Sequence, residues 1–173
     1  MSLDALMGKI VARRDLRERL ALLPRPLVFT NGVFDVLHRG HVSYLHEARA
    51  LGQTLVVGVN SDASARRLGK GADRPLNAER DRAMVVAALA SVSLVTLFDE
   101  STPVVLLREL RPDVYVKGGD YRIDELEEAR VVREWGGHAV VLPFVAGYST
   151  TALVRRIRAG EGQVRPQAGG AAG

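Results

Sequence analysis

The sequence predicts an α/β fold: a Rossmann-like, open, parallel sheet of five strands with helices on both faces. Short apolar runs typical of buried strands alternate along the chain with longer segments that have a helical spacing of apolar residues. Segments in the order strand, helix, strand form right-handed units whose strands are parallel. Ligands bind at the carboxyl edge of such a sheet. The loops that follow the strands are therefore where functional residues are expected.

The predicted elements follow from these patterns and from residues that start or stop helices. In chain order they are an amphipathic helix within 3–23, a strand at 26–29, a helix at 42–51, a strand at 54–59, a helical start and a mobile basic loop within 63–76, a helix capped by Asn77 that runs to about 90, a strand at 94–98, a helix from Thr102 that ends before Pro112, a strand at 114–116, a helix at 123–135, a strand at 139–142 and a helix at 152–157.

Length and composition indicate one main domain. The 173 residues, 47% of them hydrophobic, suffice for one core and are too few for two large domains. We divide the chain into an N-terminal amphipathic helix (1–25), a main domain (26–158) and a disordered tail (159–173). The longest apolar run, 84–90, is far shorter than the roughly 20 residues of a membrane span, and no signal peptide opens the chain. We expect a soluble, cytoplasmic protein without a membrane partner.

The charge pattern argues against a nucleic-acid partner. The net charge is +4, aromatic residues make up 5% of the chain, and the arginines near the N-terminus alternate with acidic residues, as on a solvated helix face. The chain has no cysteine, which excludes disulfides, thiolate zinc sites and thiol nucleophiles.

The segment between the first strand and the next helix, Thr30–His41, carries the strongest functional pattern. Gly32 allows a ligand to approach the backbone, and Gly40 and His41 lie where the first unpaired N–H groups of the helix would point at an anion. His38 and His41 are three residues apart, so both imidazoles should lie on one side, near the positive end of the helix dipole. Each ring can donate a hydrogen bond to a phosphate oxygen.

Other loops offer further candidates, each with a plainer interpretation beside it. Asp35 should organise its loop through backbone N–H groups rather than act as a base. Lys70, between two glycines, could clamp a phosphate or lie on a solvated loop. The segment 117–121 could bind a phosphate and hydroxyls or be a turn, and the hydroxyls of Ser149 and its neighbours could cap a helix or face a nucleotide.

Five motifs together resemble a known family. They are T-x-G-x-F-D-x-x-H-x-G-H (30–41), V-N-S-D (59–62), K-G-x-x-R-P (70–75), V-K-G-G-D-Y (116–121) and S-T-T (149–151). The first resembles the signature of the cytidylyltransferase-like branch of the HxGH nucleotidyltransferases. The whole set, over about residues 27–157, is similar to the D-glycero-β-D-manno-heptose 1-phosphate adenylyltransferases, which make ADP-heptose for the lipopolysaccharide inner core of Gram-negative bacteria.

This resemblance implies roles for individual residues. The implied catalytic residues are His38, His41 and Lys70; the implied nucleotide-binding residues are Asn31, Gly32, Val33, Phe34, Gly40, Gly147, Tyr148, Ser149, Thr150 and Thr151; the implied sugar-phosphate-binding residues are Arg74, Lys117, Gly118 and Asp120.

The resemblance also implies substrates, a metal and an assembly. The substrates would be ATP and heptose 1-phosphate, with Mg²⁺ held mainly by ATP and no protein metal ligands, in a homodimer that lacks the sugar kinase fused to many relatives. Two alternatives remain open: a cytidylyltransferase for glycerol 3-phosphate or a similar alcohol phosphate, and a non-catalytic nucleotide-binding module. Cytidylyltransferases of that kind usually carry an arginine where this chain has Phe144 and lack K-G-G-D-Y.

Overall fold

The computed structural model describes residues 2–69, 71, 73–143, 145 and 147–160. Within them the helices are α1 (Leu3–Met7), α2 (Leu16–Ala21), α3 (Arg39–Ala50), α4 (Asp62–Arg67), α5 (Glu79–Ala87), α6 (Val104–Leu110), α7 (Glu127–Arg133) and α8 (Thr150–Ala159). The strands are β1 (Leu27–Gly32), β2 (Thr54–Asn60), β3 (Leu94–Phe98), β4 (Val114–Gly118) and β5 (His138–Leu142). Short 3-10 helices precede α2 at Arg13–Asp15 and α7 at Ile123–Glu125.

The strands form one sheet in the order β3-β2-β1-β4-β5, and every neighbouring pair is parallel. The chain steps outwards in opposite directions from β1 and from β4, so the connections that leave these two strands cross opposite faces of the sheet. A crevice opens at such a reversal, outside the carboxyl ends of the strands. The predicted Rossmann-like fold class is confirmed, and this topology places the crevice between β1 and β4.

The core lies on both faces of the sheet. On one face Val28 and Val57 contact α3 and α5 through residues such as Leu45 and Val86. On the other face Phe29 and Val56 belong to a cluster that includes residues of α2, α6 and α7. Every residue of β2 is buried, as expected of a central strand covered on both sides. Burial of an aliphatic or aromatic side chain stabilises the fold by about 1.5–3 kcal/mol, so the sheet is a rigid support for its carboxyl edge.

A buried hydroxyl joins α3 to both strands beside the crevice. Tyr44, one turn after the start of the helix, forms a 2.6 Å hydrogen bond with Thr30 of β1 and donates to the carbonyl of Val116 in β4, at 3.1 Å. Burial raises the pKa of this phenol well above its usual value, so the group is a neutral hydrogen-bond donor. The N-terminus of α3 is thereby fixed relative to both strands.

The N-terminal segment differs from the single amphipathic helix that its apolar spacing predicts. Between α1 and α2 the chain is extended beside the edge strand β3, where Val11 N–H donates to the Val95 carbonyl at 2.9 Å and Val95 N–H donates to the Lys9 carbonyl at 2.8 Å. An edge strand has unpaired backbone groups, and pairing with them outweighs the helical pattern of the segment.

Helix α5 buries a different face from the predicted one. The predicted apolar face included Met84, Val85 and Ala88, whereas the structure leaves Val85 51% exposed and buries Ala83, Val86, Ala87 and Arg82. The helix begins after Ala78 rather than at a cap formed by Asn77. The Asn77 side chain instead donates to the backbone carbonyl of Asp35 at 2.5 Å. A tertiary contact has therefore displaced the local capping chemistry.

The last helix is longer than predicted, because α8 extends to Ala159. The tail predicted to be disordered, 159–173, overlaps this helix at Ala159, and its residues 161–173 lie outside the described residues. Among the described residues, no helix combines the length and the hydropathy needed to cross a membrane.

The Lys9 side chain should stabilise the junction between the N-terminal segment and α5. Its ammonium group donates to the carbonyls of Ala87, Leu89 and Val92 at 3.0, 3.4 and 2.8 Å, at and just beyond the C-terminal end of α5. We expect Lys9→Met to lower the free energy of unfolding by about 1–2 kcal/mol, or roughly 2–8 °C in Tm, since these carbonyls lose a charged donor.

Thermal unfolding followed by circular dichroism measures this effect. The matched control is Arg14→Met, because the Arg14 side chain is 85% exposed and its loss should change stability by no more than about 0.5 kcal/mol. Equal Tm values for the two variants would contradict the stabilising role of Lys9.

Candidate functional site

The two histidines of the β1–α3 loop lie together at the carboxyl edge of the sheet. Their ring centroids are 3.9 Å apart and their planes differ by 22°, so the imidazoles are stacked. His38 is the N-cap of α3 and His41 lies in its first turn. The prediction that both rings share one side of the helix start is therefore correct. The backbone N–H of His41, in contrast, already donates to the carbonyl of His38 at 2.9 Å, which leaves the earlier N–H groups of the turn for an anion.

Both glycines of this loop make room for aromatic side chains. A Cβ atom on Gly32 would lie 3.0 Å from the Phe34 ring, and one on Gly40 would lie 3.1 Å from the His38 ring and 3.1 Å from the Cβ of Tyr148. The prediction assigned Gly32 to the close approach of a ligand. In the structure the missing side chain of Gly32 accommodates Phe34, and that of Gly40 lets Tyr148 pack against the first histidine.

Phe34 has a left-handed backbone conformation, with φ of +49°. A bulky residue in this region costs about 1–3 kcal/mol, which the surrounding structure must offset. Its ring is 6% exposed and meets the His41 ring edge-on, with centroids 5.4 Å apart. The unusual backbone angle is therefore what directs the phenyl ring against the second histidine.

Asp35 organises the loop as predicted. Its Oδ1 accepts from the backbone N–H groups of Leu76 and Asn77 at 2.8 and 3.0 Å, and its Oδ2 accepts from Arg74 at 2.5 Å. Burial alone would raise the pKa of this carboxyl, but the backbone donors and Arg74 outweigh burial and hold the pKa below its usual value. Asp35 is therefore an ionised anchor rather than a base.

Arg74, which the resemblance places on the sugar phosphate, has a structural partner here. Its side chain is 11% exposed and that of Asp35 is 6% exposed. This nearly buried ion pair joins the K-G-x-x-R-P segment to the β1–α3 loop. Any contact of Arg74 with a substrate would have to use the guanidinium donors that this pair leaves available.

Arg82 is a residue of the site region that the sequence prediction missed. Its side chain on α5 is completely buried, and it donates to the carbonyls of Val33 and Asn77 and to the carboxylate of Asp62. A charged residue at a position that faces the core is a signal in the sequence, because an arginine is rarely buried without partners. Arg82 lies one turn before Val86, on the face that α5 buries.

The last motif lies beside the same loop. Ser149 caps α8, since its hydroxyl accepts from Ala152 N–H at 3.1 Å, as one interpretation of the hydroxyl cluster predicted. Thr150 donates to the carbonyl of Val36 in the β1–α3 loop at 3.1 Å. The Tyr148 ring lies 6.3 Å from the His38 ring and 5.8 Å from the Arg39 guanidinium. Gly147 and Thr151 flank this group and are exposed.

Helix α8 is one of the least buried helices in the described part of the chain. None of its residues is buried. Apart from the Thr150 hydrogen bond, Arg158 near its end pairs with Asp73.

The K-G-G-D-Y segment reaches the same edge from β4, as the parallel topology predicted. Tyr115 of β4 donates to Oδ1 of Asn31, near the carboxyl end of β1, at 3.0 Å, which joins the two neighbouring strands. Lys117 lies 3.1 Å from Oε1 of the nearly buried Glu128 and 5.4 Å from the centre of the Tyr121 ring. Gly118 ends β4, and Asp120 is exposed beside it. Lys117 is thus already engaged by an acidic partner.

Lys70 and Phe144 lie outside the described residues, so their predicted roles stay predictions. Within the described part of the chain, no group of three or more His, Cys, Asp and Glu side chains is arranged to hold a metal ion. The acidic residue within the β1–α3 loop, Asp35, already has both oxygens in hydrogen bonds. The described side chains therefore do not form a protein cage for Mg²⁺, an ion that commonly binds through substrate phosphates and water.

Burial governs the charge of the first histidine. It lowers the pKa of His38 below its usual value, because a partly desolvated imidazole loses stabilisation when it is charged. Two imidazolium rings stacked at 3.9 Å would also repel each other. A neutral imidazole keeps one N–H donor, so His38 can hydrogen-bond an anion without being protonated.

Known proteins resemble this chain in sequence and in structure. A family model described as cytidylyltransferase-like matches residues 29–156. The chain is 58% identical over 162 residues to the D-beta-D-heptose 1-phosphate adenylyltransferase of Bordetella bronchiseptica, a match that covers 92% of this chain and 100% of that protein. It is 56% identical over 133 residues to the bifunctional protein HldE of Magnetococcus marinus, covering 77% of this chain and 27% of HldE. The chain thus spans about a quarter of that longer relative.

Among solved structures, the fold is similar to that of a lipopolysaccharide core biosynthesis protein from Thermoplasma volcanium. The TM-score is 0.58, the sequence identity is 33%, and the match covers 69% of this chain and 95% of the other. A family model that matches most of the chain and a relative matched over its whole length agree with the geometry of the loop. This chain belongs to the cytidylyltransferase-like family.

Proposed function

We propose that this protein is an adenylyltransferase that joins ATP and D-glycero-β-D-manno-heptose 1-phosphate to give ADP-heptose and pyrophosphate, for synthesis of the lipopolysaccharide inner core. The observation that carries the proposal is the stacked pair of His38 and His41 at the start of α3, at the carboxyl edge of the sheet. The choice of ATP and heptose 1-phosphate rests on the 58% identity to the Bordetella bronchiseptica adenylyltransferase.

The proposed reaction is an in-line displacement at the α-phosphorus of ATP. A phosphate oxygen of heptose 1-phosphate forms the new bond to phosphorus, the bond to the bridging oxygen of the β-phosphate breaks, and pyrophosphate leaves with both bonding electrons. The attacking phosphate is already an anion, so no side chain has to remove a proton. Catalysis then depends on positioning and on stabilising the negative charge of the transferred and leaving groups.

The imidazoles are the proposed hydrogen-bond donors to these phosphates. Nδ1 of His38 is buried and forms no hydrogen bond within the described part of the chain, so we assign the role of donor to Nε2. His41 lies against the same ring. The positive end of the α3 dipole adds to the attraction for an anion. The Gly147–Thr151 segment, which Tyr148 and Thr150 hold beside His38, is proposed to contact the rest of the nucleotide. The residues Asn31 to Phe34 are proposed to contact the nucleotide as well.

The proposal also covers the metal, the sugar phosphate and the assembly of the protein. Mg²⁺ enters with ATP and is held mainly by phosphate oxygens and water, and Lys70 neutralises the triphosphate. Gly118 and Asp120, with Lys117 and Arg74 as far as their ion pairs allow, bind the sugar phosphate from the β4 side of the crevice. The protein acts as a homodimer in the cytoplasm, where it needs no membrane or nucleic-acid partner.

A substrate panel separates the proposed activity from its alternatives. We expect pyrophosphate release with ATP and heptose 1-phosphate, and little with CTP or with glycerol 3-phosphate. The description of the matched family as cytidylyltransferase-like makes CTP with glycerol 3-phosphate the informative comparison. Turnover with that pair alone would show the alternative cytidylyltransferase activity. Binding of ATP without turnover on any phosphate acceptor would favour a non-catalytic module.

Removal of the second imidazole should abolish most of the activity without unfolding the protein. We expect His41→Ala to lower kcat by about 10²-fold, because one preorganised donor to the developing charge is lost. The matched control is His46→Ala, which removes an exposed histidine from the same helix α3 and should leave kcat unchanged. Steady-state pyrophosphate release and thermal unfolding measure both effects. Activity of His41→Ala within a factor of three of the wild type would contradict this role.

The lowered pKa of His38 predicts a specific response to pH. In the free protein His38 should titrate below 6.5, so between this folded-state pKa and 6.5 the unfolded chain binds more protons than the folded one. This contribution to stability is therefore lost as pH falls below 6.5. Bound ATP should raise the pKa of His38, since phosphate charge favours the imidazolium. An NMR titration of the histidine ring protons with and without ATP measures both shifts, and a midpoint that ATP leaves unchanged would place the phosphates away from His38.

A further inference from the structure

The Arg82 guanidinium is a buried cation whose hydrogen bonds all go to segments at the carboxyl edge. Its side chain has no solvent exposure. Nη1 donates to the Val33 carbonyl at 2.5 Å, Nε donates to the Asn77 carbonyl at 3.0 Å, and Nη2 donates to Oδ1 of Asp62 at 2.8 Å. A buried charge is tolerated when it is paired and hydrogen-bonded, and the planar guanidinium meets three acceptors at fixed angles.

These three acceptors belong to three different segments around the crevice. Val33 is in the β1–α3 loop, Asp62 is the first residue of α4 after β2, and Asn77 precedes α5. Glu79 of α5 strengthens the same junction, because its carboxylate accepts from Asp62 N–H at 2.7 Å. Arg82 therefore fixes the β1–α3 loop to a helix that is anchored in the core through Val86, one turn further along the same buried face.

The hydrogen bond from Arg82 to the Val33 carbonyl affects the histidine pair through the neighbouring residue, Phe34. Val33 directly precedes the left-handed residue, and Asp35, which directly follows it, is held by Leu76, Asn77 and Arg74. The strained turn at Phe34 is thus fixed on its N-terminal side by Arg82 and on its C-terminal side by the groups that donate hydrogen bonds to Asp35. The phenyl ring that this turn directs meets His41 at 5.4 Å.

We infer that Arg82 is a positioning residue for the transfer reaction: its buried guanidinium holds the Val33 carbonyl so that Phe34 keeps its left-handed conformation and seats its ring against His41. Its effect on turnover rests on the proposed function, whereas its effect on the His41 ring does not. Arg82 touches no substrate in this account. It acts through the backbone of Val33 and the ring of Phe34.

The test is Arg82→Lys, which keeps the positive charge but presents a single ammonium in place of the fork that spans Val33 and Asp62. We expect kcat to fall by roughly 10- to 100-fold, because a shift of about 1 Å in a positioned group has consequences of this size. The KM for ATP should change by less than about 3-fold, since both histidines remain to bind it. In the ligand-free protein, the ring-proton NMR signals of His41 should move, because the edge-on Phe34 ring shifts.

The matched control is Leu107→Ala in α6. It removes a fully buried side chain from the apolar cluster on the other face of the sheet and lowers Tm, whereas Phe34 belongs to the opposite cluster. We expect its kcat and its His41 signals to match those of the wild type. Loss of activity in proportion to Tm in both variants would mean that Arg82 contributes stability alone and would overturn the inference.

Three further outcomes are decisive. Arg82→Lys with wild-type kcat and wild-type His41 signals would overturn the positioning role whatever its Tm. If Arg82→Lys does not fold, Phe34→Leu tests the same route at its other end, and unchanged His41 signals in that variant would overturn it. If the wild-type protein has no transferase activity, the proposed function fails, while the NMR comparison still decides whether Arg82 positions His41.

Discussion

The β1–α3 loop depends on two buried ionic groups of opposite sign, Asp35 and Arg82. Asp35 lies within the loop and draws its donors from the segment before α5, while Arg82 lies on α5 and finds an acceptor in the loop. A charge out of contact with water is tolerated when it is paired and hydrogen-bonded, so a movement of either side that broke these contacts would cost free energy. The conformation of the loop is thus set by the needs of two charges rather than by the local preferences of its residues.

The sheet brings separate segments of the chain together at one edge. β1 and β4 are adjacent, and their connections leave on opposite faces. The histidines therefore approach the crevice from one side, while Lys117 and its partner Glu128 approach from the other. Hydrogen bonds of the Tyr44 and Tyr115 hydroxyls connect the two sides of the crevice, and burial keeps both hydroxyls neutral.

Much of this architecture could be predicted from the sequence, because buried parallel strands are continuous apolar runs and the loops after them are short. The loop between β1 and α3 and the anchoring by Asp35 followed from residue types alone. The hydrogen bonds and ion pairs between distant segments could not be predicted in this way. The three acceptors of Arg82 come from segments that lie far apart in the sequence, and the extended segment around Val11 has a helical spacing that its pairing with β3 overrides. Arg74 and Lys117 read as free cations in the sequence, although each has an acidic partner in the fold.

Helix α8 differs from this rigid arrangement, because none of its residues is buried and, among the described residues, it is hydrogen-bonded to the β1–α3 loop through the Thr150 hydroxyl. Elements with so little buried surface undergo local unfolding at a much smaller free energy than the strands of a core. Local unfolding of the final helix should therefore cost less free energy than unfolding of the sheet. Conversely, any ligand gripped by the start of this helix contributes its binding free energy to the helix itself.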